Sequence, residues 1–227
     1  MATVRLVKTR DNGKMIRQLR EARKGTSEVQ TVEIRETVLD DEVIKEIIEL
    51  VTCHSIETVQ VIDCHAYLNK QAIRMAQVLG NNVKNVRLSG PTFLSQFFLD
   101  KLLVSGTELT NLRIQGHLHH EQIQALSRGL KETKSLETLD LGRSRIDNFS
   151  VLAEGLKLNS SIQILGLRSV GLRDENVEEI LEAISTNPSL KSIDVSLCGE
   201  SLNYRLLFCP HHQAYSSFLS AFFQPLS

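Results

Sequence analysis

Apolar residues fall along this chain in a fixed figure: one, a second three positions on, and a third two positions after that. The figure stands at Val29/Val32/Ile34, Ile56/Val59/Val61, Val83/Val86/Leu88, Leu109/Leu112/Ile114, Leu136/Leu139/Leu141, Ile162/Leu165/Leu167 and Leu190/Ile193/Val195. Successive first positions are separated by 27, 27, 26, 27, 26 and 28 residues. Such regular spacing marks an array of one structural unit. Met1, Val4 and Leu6 lie 28 residues before the Val29 copy and start a degenerate unit over 1–28. The last two apolar positions of each copy alternate with a polar one, as in a strand buried on one face.

Each copy carries a second signal 9 to 12 positions after its first residue, at Leu39, Leu68, Leu94, Leu118, Ile146 and Leu172. A residue able to cap a helix often follows: Asp40, Asn69, Ser95, Asp147 and Asp174. These side chains accept from the orphan amides of a helix N-terminus. The next stretch is apolar at helical spacing, as in Ile44/Ile47/Ile48/Val51, Ile123/Leu126/Leu130 and Val177/Ile180/Leu181/Ile184. One unit is therefore a short strand, a turn and a helix of about three turns.

Neither element buries its apolar side alone, so units must stack. Strands stack about 4.8 Å apart and helices about 8–10 Å apart. The expected fold is thus α/β: a curved, right-handed solenoid with parallel strands on its concave face and helices on its convex face. The sequence resembles leucine-rich repeat proteins of the ribonuclease-inhibitor-like, long-repeat type. The resemblance covers residues 1–197 and is closest at 136–161 and 162–189. That family carries Asn or Cys three residues after the last strand apolar, where it bonds neighbouring loops. Here the positions read Thr37, Cys64, Pro91, His117, Ser144, Val170 and Cys198. A weakened loop ladder is expected, with least regularity over 89–108. Residues 198–227 break the repeat and hold Tyr204, Phe208, Tyr215, Phe218, Phe222 and Phe223, six of the chain's eleven aromatics. They read as an irregular cap or a disordered tail.

The bulk numbers change this picture little. A net charge of −1 over 227 residues excludes a polyelectrolyte. The charge is uneven, however: residues 1–27 hold eight basic residues against Asp11 and Glu21, a local +6. That stretch reads as a solvated first helix with Met15, Ile16 and Leu19 packed inward, so nucleic acid and membrane are disfavoured as partners. Cys53, Cys64, Cys198 and Cys209 show no paired motif, which suits reduced thiols and an intracellular, cytoplasmic setting. No stretch reaches the roughly 18–20 apolar residues that span a bilayer.

Candidate chemistry sits on the strands. Positions between the strand apolars face away from the helices and read Arg5, Glu33, Gln60, Arg87, Arg113, Asp140, Gly166 and Asp194. The next row holds Arg35, Ser89, Gln115, Gly142 and Arg168. The expected partner-binding residues are Glu33, Arg35, Gln60, Arg87, Arg113, Gln115, Asp140, Arg168 and Asp194, with Arg87 and Arg113 as a basic centre. His117, His119 and His120 form the densest titratable cluster, with Glu121 the carboxylate nearest in sequence; they read as a solvated loop. Cys198, Cys209, His211 and His212 match no zinc-finger spacing. No metal, cofactor or small-molecule substrate is expected. With no phosphate loop or nucleophile motif, the expectation is a monomeric, non-catalytic protein-interaction scaffold. The alternative is a GTPase regulator similar to the Ran GTPase-activating family, with Arg35 or Arg168 placed at the nucleotide.

Overall fold

The computed structural model describes residues 2–8, 11–25, 28–172 and 174–195, and the backbone of 205–207. The chain runs β1 (Ala2–Val7), α1 (Asn12–Lys24), β2 (Val29–Arg35), β3 (Val38–Leu39), α2 (Asp41–Cys53), β4 (Thr58–Ile62), β5 (His65–Ala66) and α3 (Lys70–Asn82). It continues with β6 (Asn85–Ser89), α4 (Gln96–Val104), β7 (Asn111–Gln115), β8 (His117–Leu118), α5 (His120–Glu132), β9 (Thr138–Asp140) and β10 (Arg145–Ile146). It ends with α6 (Phe149–Leu158), β11 (Ile164–Gly166), α7 (Asp174–Thr186), β12 (Ser192–Asp194) and β13 (Arg205–Leu207).

The protein is α/β. Its main sheet has the order β1-β2-β4-β6-β7-β9-β11-β12-β13. The first eight strands are parallel, and β13 joins antiparallel to β12. A helix links each parallel strand to the one beside it, and consecutive helices pack on one another from α1 to α7. The two short pairs β3·β5 and β8·β10 lie just beyond the strand ends.

The repeated apolar figure builds the core. Val32 and Ile34, Val59 and Val61, Val86 and Leu88, Leu112 and Ile114, and Leu165 and Leu167 are all at most 2% exposed. They meet helix residues such as Ile44, Ile47, Met75, Leu79, Leu126 and Leu156 in one contiguous cluster. Burying each such aliphatic side chain stabilises by roughly 1.5–3 kcal/mol. Asp40, Asn69 and Ser95 cap α2, α3 and α4 through bonds from Val43 N, Gln71 N with Ala72 N, and Phe98 N.

Two expectations are corrected. Leu68 is 41% exposed, and Ala66 takes the inward place opposite Leu39 in the β3·β5 pair. Asp147 does not cap α6; Asn148 does, accepting from Val151 N at 3.1 Å. The cap expected from the Asp174 side chain, and the cap or tail at 198–227 apart from the backbone of β13, lie outside the described residues.

Polar ladders run at both strand ends. Before β11 and β12, the helices α6 and α7 hand over to buried Asn159 and Asn187. Asn159 Nδ2 donates to Leu130 O at 2.7 Å while its Oδ1 accepts from Ser161 N and Ile162 N. Asn187 repeats this one unit later, donating to Leu156 O at 2.6 Å and Asn159 O at 2.9 Å. After the strands, Ser144 Oγ donates to Ile114 O at 3.0 Å. Where Pro91 offers no donor, the neighbouring Thr92 Oγ1 both donates to Ala66 O and accepts from Ala66 N. The 89–108 stretch differs from its neighbours: α4 has nine residues where α3 and α5 have thirteen. Phe93 and Phe98, edge to face at 5.3 Å, fill the space beside it.

Candidate functional site

Strand alternation turns one set of side chains inward and leaves the other on the free face of the sheet. The parallel register lines up that second set across the sheet as Arg5, Glu33, Gln60, Arg87, Arg113, Asp140, Gly166 and Asp194. The structure thus brings six of the expected residues, Glu33, Gln60, Arg87, Arg113, Asp140 and Asp194, into one cross-strand row. Arg35 ends β2 and Gln115 ends β7, each two residues further along its strand. Arg168 is exposed in the turn after β11.

The row divides by charge. At one end Glu33 pairs with Arg5 at 3.1 Å and also with Arg35, whose Nη2 reaches Gln60 Oε1 at 3.5 Å. Arg35, one of the two arginines considered for a nucleotide contact, is therefore held by an acid. At the other end, Asp140 lies 3.2 Å from Arg113 Nε and accepts from Gly142 N at 2.8 Å. Gly142 and Gly166 make room for that carboxylate: a Cβ at Gly166 would meet Asp140 Oδ1 at 2.7 Å.

Arg87 sits between these ends. Among the described residues its side-chain partner is the neutral amide of Gln115, at 2.9 Å, and Gln115 passes the bond on to Gly142 O at 3.3 Å. Burial, then the neighbouring charges of Arg113 and Arg35, push the Arg87 guanidinium below its ordinary value. It remains a cation at neutral pH. Arg113 Nε is buried and, despite its contact with Asp140, lacks an aligned hydrogen-bond acceptor. Two partly desolvated cations in opposed positions with donors unspent make a surface suited to an anion.

A further row went unread in the sequence. Thr31, Thr58, Asn85, Asn111 and Thr138 stand opposite one another, two residues before the central row. Asn111 Nδ2 donates to Asn85 Oδ1 at 2.7 Å, and Asn85 Nδ2 to Thr58 Oγ1 at 3.2 Å. The same two-residue alternation that picks out Arg87 and Arg113 would have found these asparagines. Together with Gln60, Arg87, Arg113 and Asp140 they line a depression of about 220 Å³ on the sheet face. A larger groove, about 700 Å³, lies where helices return to strands and is lined by Glu28, Gln30, Cys53, His54, Glu57, Lys84 and Glu108.

No family model matches the chain, and no curated protein matches it significantly.

Among the described residues, four of the eight basic residues of the N-terminal stretch pair within the chain, Arg5 with Glu33 among them. Arg20 and Arg23 reach Glu46 at 2.7 and 3.3 Å; Arg23 also pairs with Glu49, and Lys8 with Glu36 at 3.4 Å. Met15 and Leu19 face inward and are buried. No described helix is long and apolar enough to cross a membrane.

The histidine turn also differs from its sequence reading. The carboxylate that meets it is not Glu121 but Asp147, from the next unit. His117 Nε2 lies 2.7 Å from Asp147 Oδ1, and His119 Nδ1 lies 2.9 Å from Oδ2. These bonds hold the Asp147 carboxyl below the usual carboxylate range, that of His117 first and that of His119 second. His120 turns aside to Gln124 and Asn148.

Proposed function

We propose that this chain is a non-catalytic protein-interaction scaffold. It is read as a curved, right-handed solenoid of the ribonuclease-inhibitor-like, leucine-rich-repeat type that binds a protein partner through its strand face. Units that follow one another in the sheet in sequence order support the solenoid reading. With helices on one side needing about twice the spacing of strands, such a stack bends toward the strands.

The observation that carries the binding reading is Arg87 beside Arg113 on the free face, with Arg87 bonded to a neutral amide. The partner would place an acidic side chain there. Asn85, Asn111, Gln60 and Gln115 surround the pair with neutral donors and acceptors that can fix its geometry. The depression of about 220 Å³ suits a side chain better than a metabolite, whose pockets run to roughly 300–1,000 Å³. A preformed face also limits the ordering entropy lost on binding. The free thiols of Cys53 and Cys64 support a reducing, intracellular setting.

The test is affinity capture from the native source with the full chain and with Arg87→Glu/Arg113→Glu. Charge reversal should abolish capture while circular dichroism stays close to wild type, with melting lowered only as far as the loss of the Arg113 pair with Asp140 requires. Undiminished capture by the double variant would overturn the proposal.

A further inference from the structure

We infer that His117, His119 and Asp147 form a binding site for a divalent transition-metal ion of the zinc class, independent of the sheet face. The three offer ligand atoms that all lie within 4.8 Å of one another. They come from two units held in register: β8 pairs with β10 through His117↔Arg145 and Leu118↔Ile146, which sets His119 level with Asp147. The backbone therefore brings the ligands together before any ion arrives.

None of the three side chains is committed to holding a helix end. Asn148 caps α6 in place of Asp147, and His119, at the N-cap of α5, makes no side-chain cap bond. The imidazoles lie 3.8 Å apart between centroids, and both turn a nitrogen to the same carboxylate. Two imidazoles and one carboxylate select zinc-like ions over calcium or magnesium, which prefer all-oxygen shells. Ligand bonds of about 2.0–2.2 Å in a tetrahedron place donor atoms about 3.3 Å apart. The contact to the carboxylate oxygen that ligates, now 2.7 Å at Oδ1 or 2.9 Å at Oδ2, would open by about half an ångström. Each neutral ring would carry its proton on the nitrogen facing away from the ion. Water would complete the shell, since all three residues are exposed. Arg145, whose Nε lies 3.7 Å from Asp147 Oδ1, must swing aside and sets a limit on affinity.

The test is calorimetric titration of the full chain with Zn²⁺, with Co²⁺ absorption spectroscopy reporting coordination. Wild type should bind one ion at this site and give the intense visible bands of low-coordinate Co²⁺. His119→Gln and Asp147→Asn should each weaken binding by about tenfold or more and abolish those bands, with circular dichroism unchanged. His120→Ala should bind as wild type does, because His120 is held by Gln124 and Asn148. Wild-type affinity in both ligand variants, or equal loss in His120→Ala, overturns the site, as does failure of the wild-type chain to bind.

Discussion

Arg87 and Arg113 occupy directly opposed positions on neighbouring parallel strands, so two guanidinium groups share one part of the sheet face. Like charges so placed oppose folding. Asp140 offsets the repulsion on Arg113, while Gln115 gives Arg87 a hydrogen bond without a countercharge. A residue kept at a cost to stability is one that function can use.

That relationship separates stability from binding. Arg87→Gln should leave the melting temperature unchanged or raise it slightly, by a gain of about 0.5–1 kcal/mol at most, while weakening partner capture. Asp140→Asn should act in the opposite sense on stability. It removes the carboxylate that pairs with Arg113 and that, with Asp63, offsets the charge of Arg87, at a cost of about 1–2 kcal/mol. Thermal melts of the two variants side by side check this; a marked loss of stability in Arg87→Gln alone would show that Arg87 serves the fold.

Binding through such a face should depend on salt. Its described residues include no Tyr or Trp to anchor a partner, so charge must supply much of the attraction and the association rate. Raising salt from 0.05 to 0.5 M, a range over which the screening length falls from about 14 to about 4 Å, should weaken partner capture by the wild-type chain severalfold. The residual binding of Arg87→Gln should respond less. Salt-independent capture would place the energy elsewhere.

Asn187 is the strongest single test of the unit-to-unit ladder. Its amide donates to two carbonyls and its oxygen accepts from Ser189 N and Leu190 N. It is 3% exposed, so water cannot replace these bonds. Asn187→Ala should therefore cost about 3 kcal/mol or more, as several buried groups lose partners together. Denaturant unfolding of Asn187→Ala and of Ser189→Ala, which removes fewer bonds, checks the size and the order of the two losses.

Helix spacing sets a different limit at Gly155. A Cβ there would lie 2.7 Å from Ser127 Cα, a backbone atom that no rotamer change can move. Alanine raises helix propensity by roughly 0.5–1 kcal/mol, whereas forcing packed helices apart costs about 1–3 kcal/mol. Gly155→Ala should thus be destabilising, and adding Ser127→Ala should not restore it. A gain in melting temperature would mean that α5 and α6 have room to separate.

Strands and helices were legible in the sequence because their side-chain periods, two and 3.6, are imposed by backbone geometry at every copy. The row from Glu33 to Asp194 was legible for the same reason. Ala66 was missed because a small side chain fills the place that Leu39 and Leu118 fill elsewhere, and the nearby Leu68 drew the assignment two residues too far. Asp147 and Asn148 are both good capping residues, so residue type does not choose between them; the backbone places Asn148 at the cap and leaves Asp147 to the histidines. His117 and Asp147 are 30 residues apart, and only alignment of neighbouring units shows that they meet.

The two described cysteines should differ in chemistry. Cys53 is exposed at the end of α2, whereas Cys64 is buried after β4. Burial pushes the Cys64 thiol above its ordinary value of 9.0, against backbone hydrogen bonds that pull the other way. Native labelling by a thiol reagent, read by peptide mass mapping, should mark Cys53 and spare Cys64 until the chain unfolds. The same shift fixes a pH dependence. A thiol whose folded value is raised contributes stability that is fully present below the unfolded value and is lost as pH rises through the folded one. Wild type should therefore lose stability relative to Cys64→Ala above about pH 9. Parallel unfolding midpoints of the two chains from neutral to alkaline pH would show instead that the thiol ionises as readily folded as unfolded.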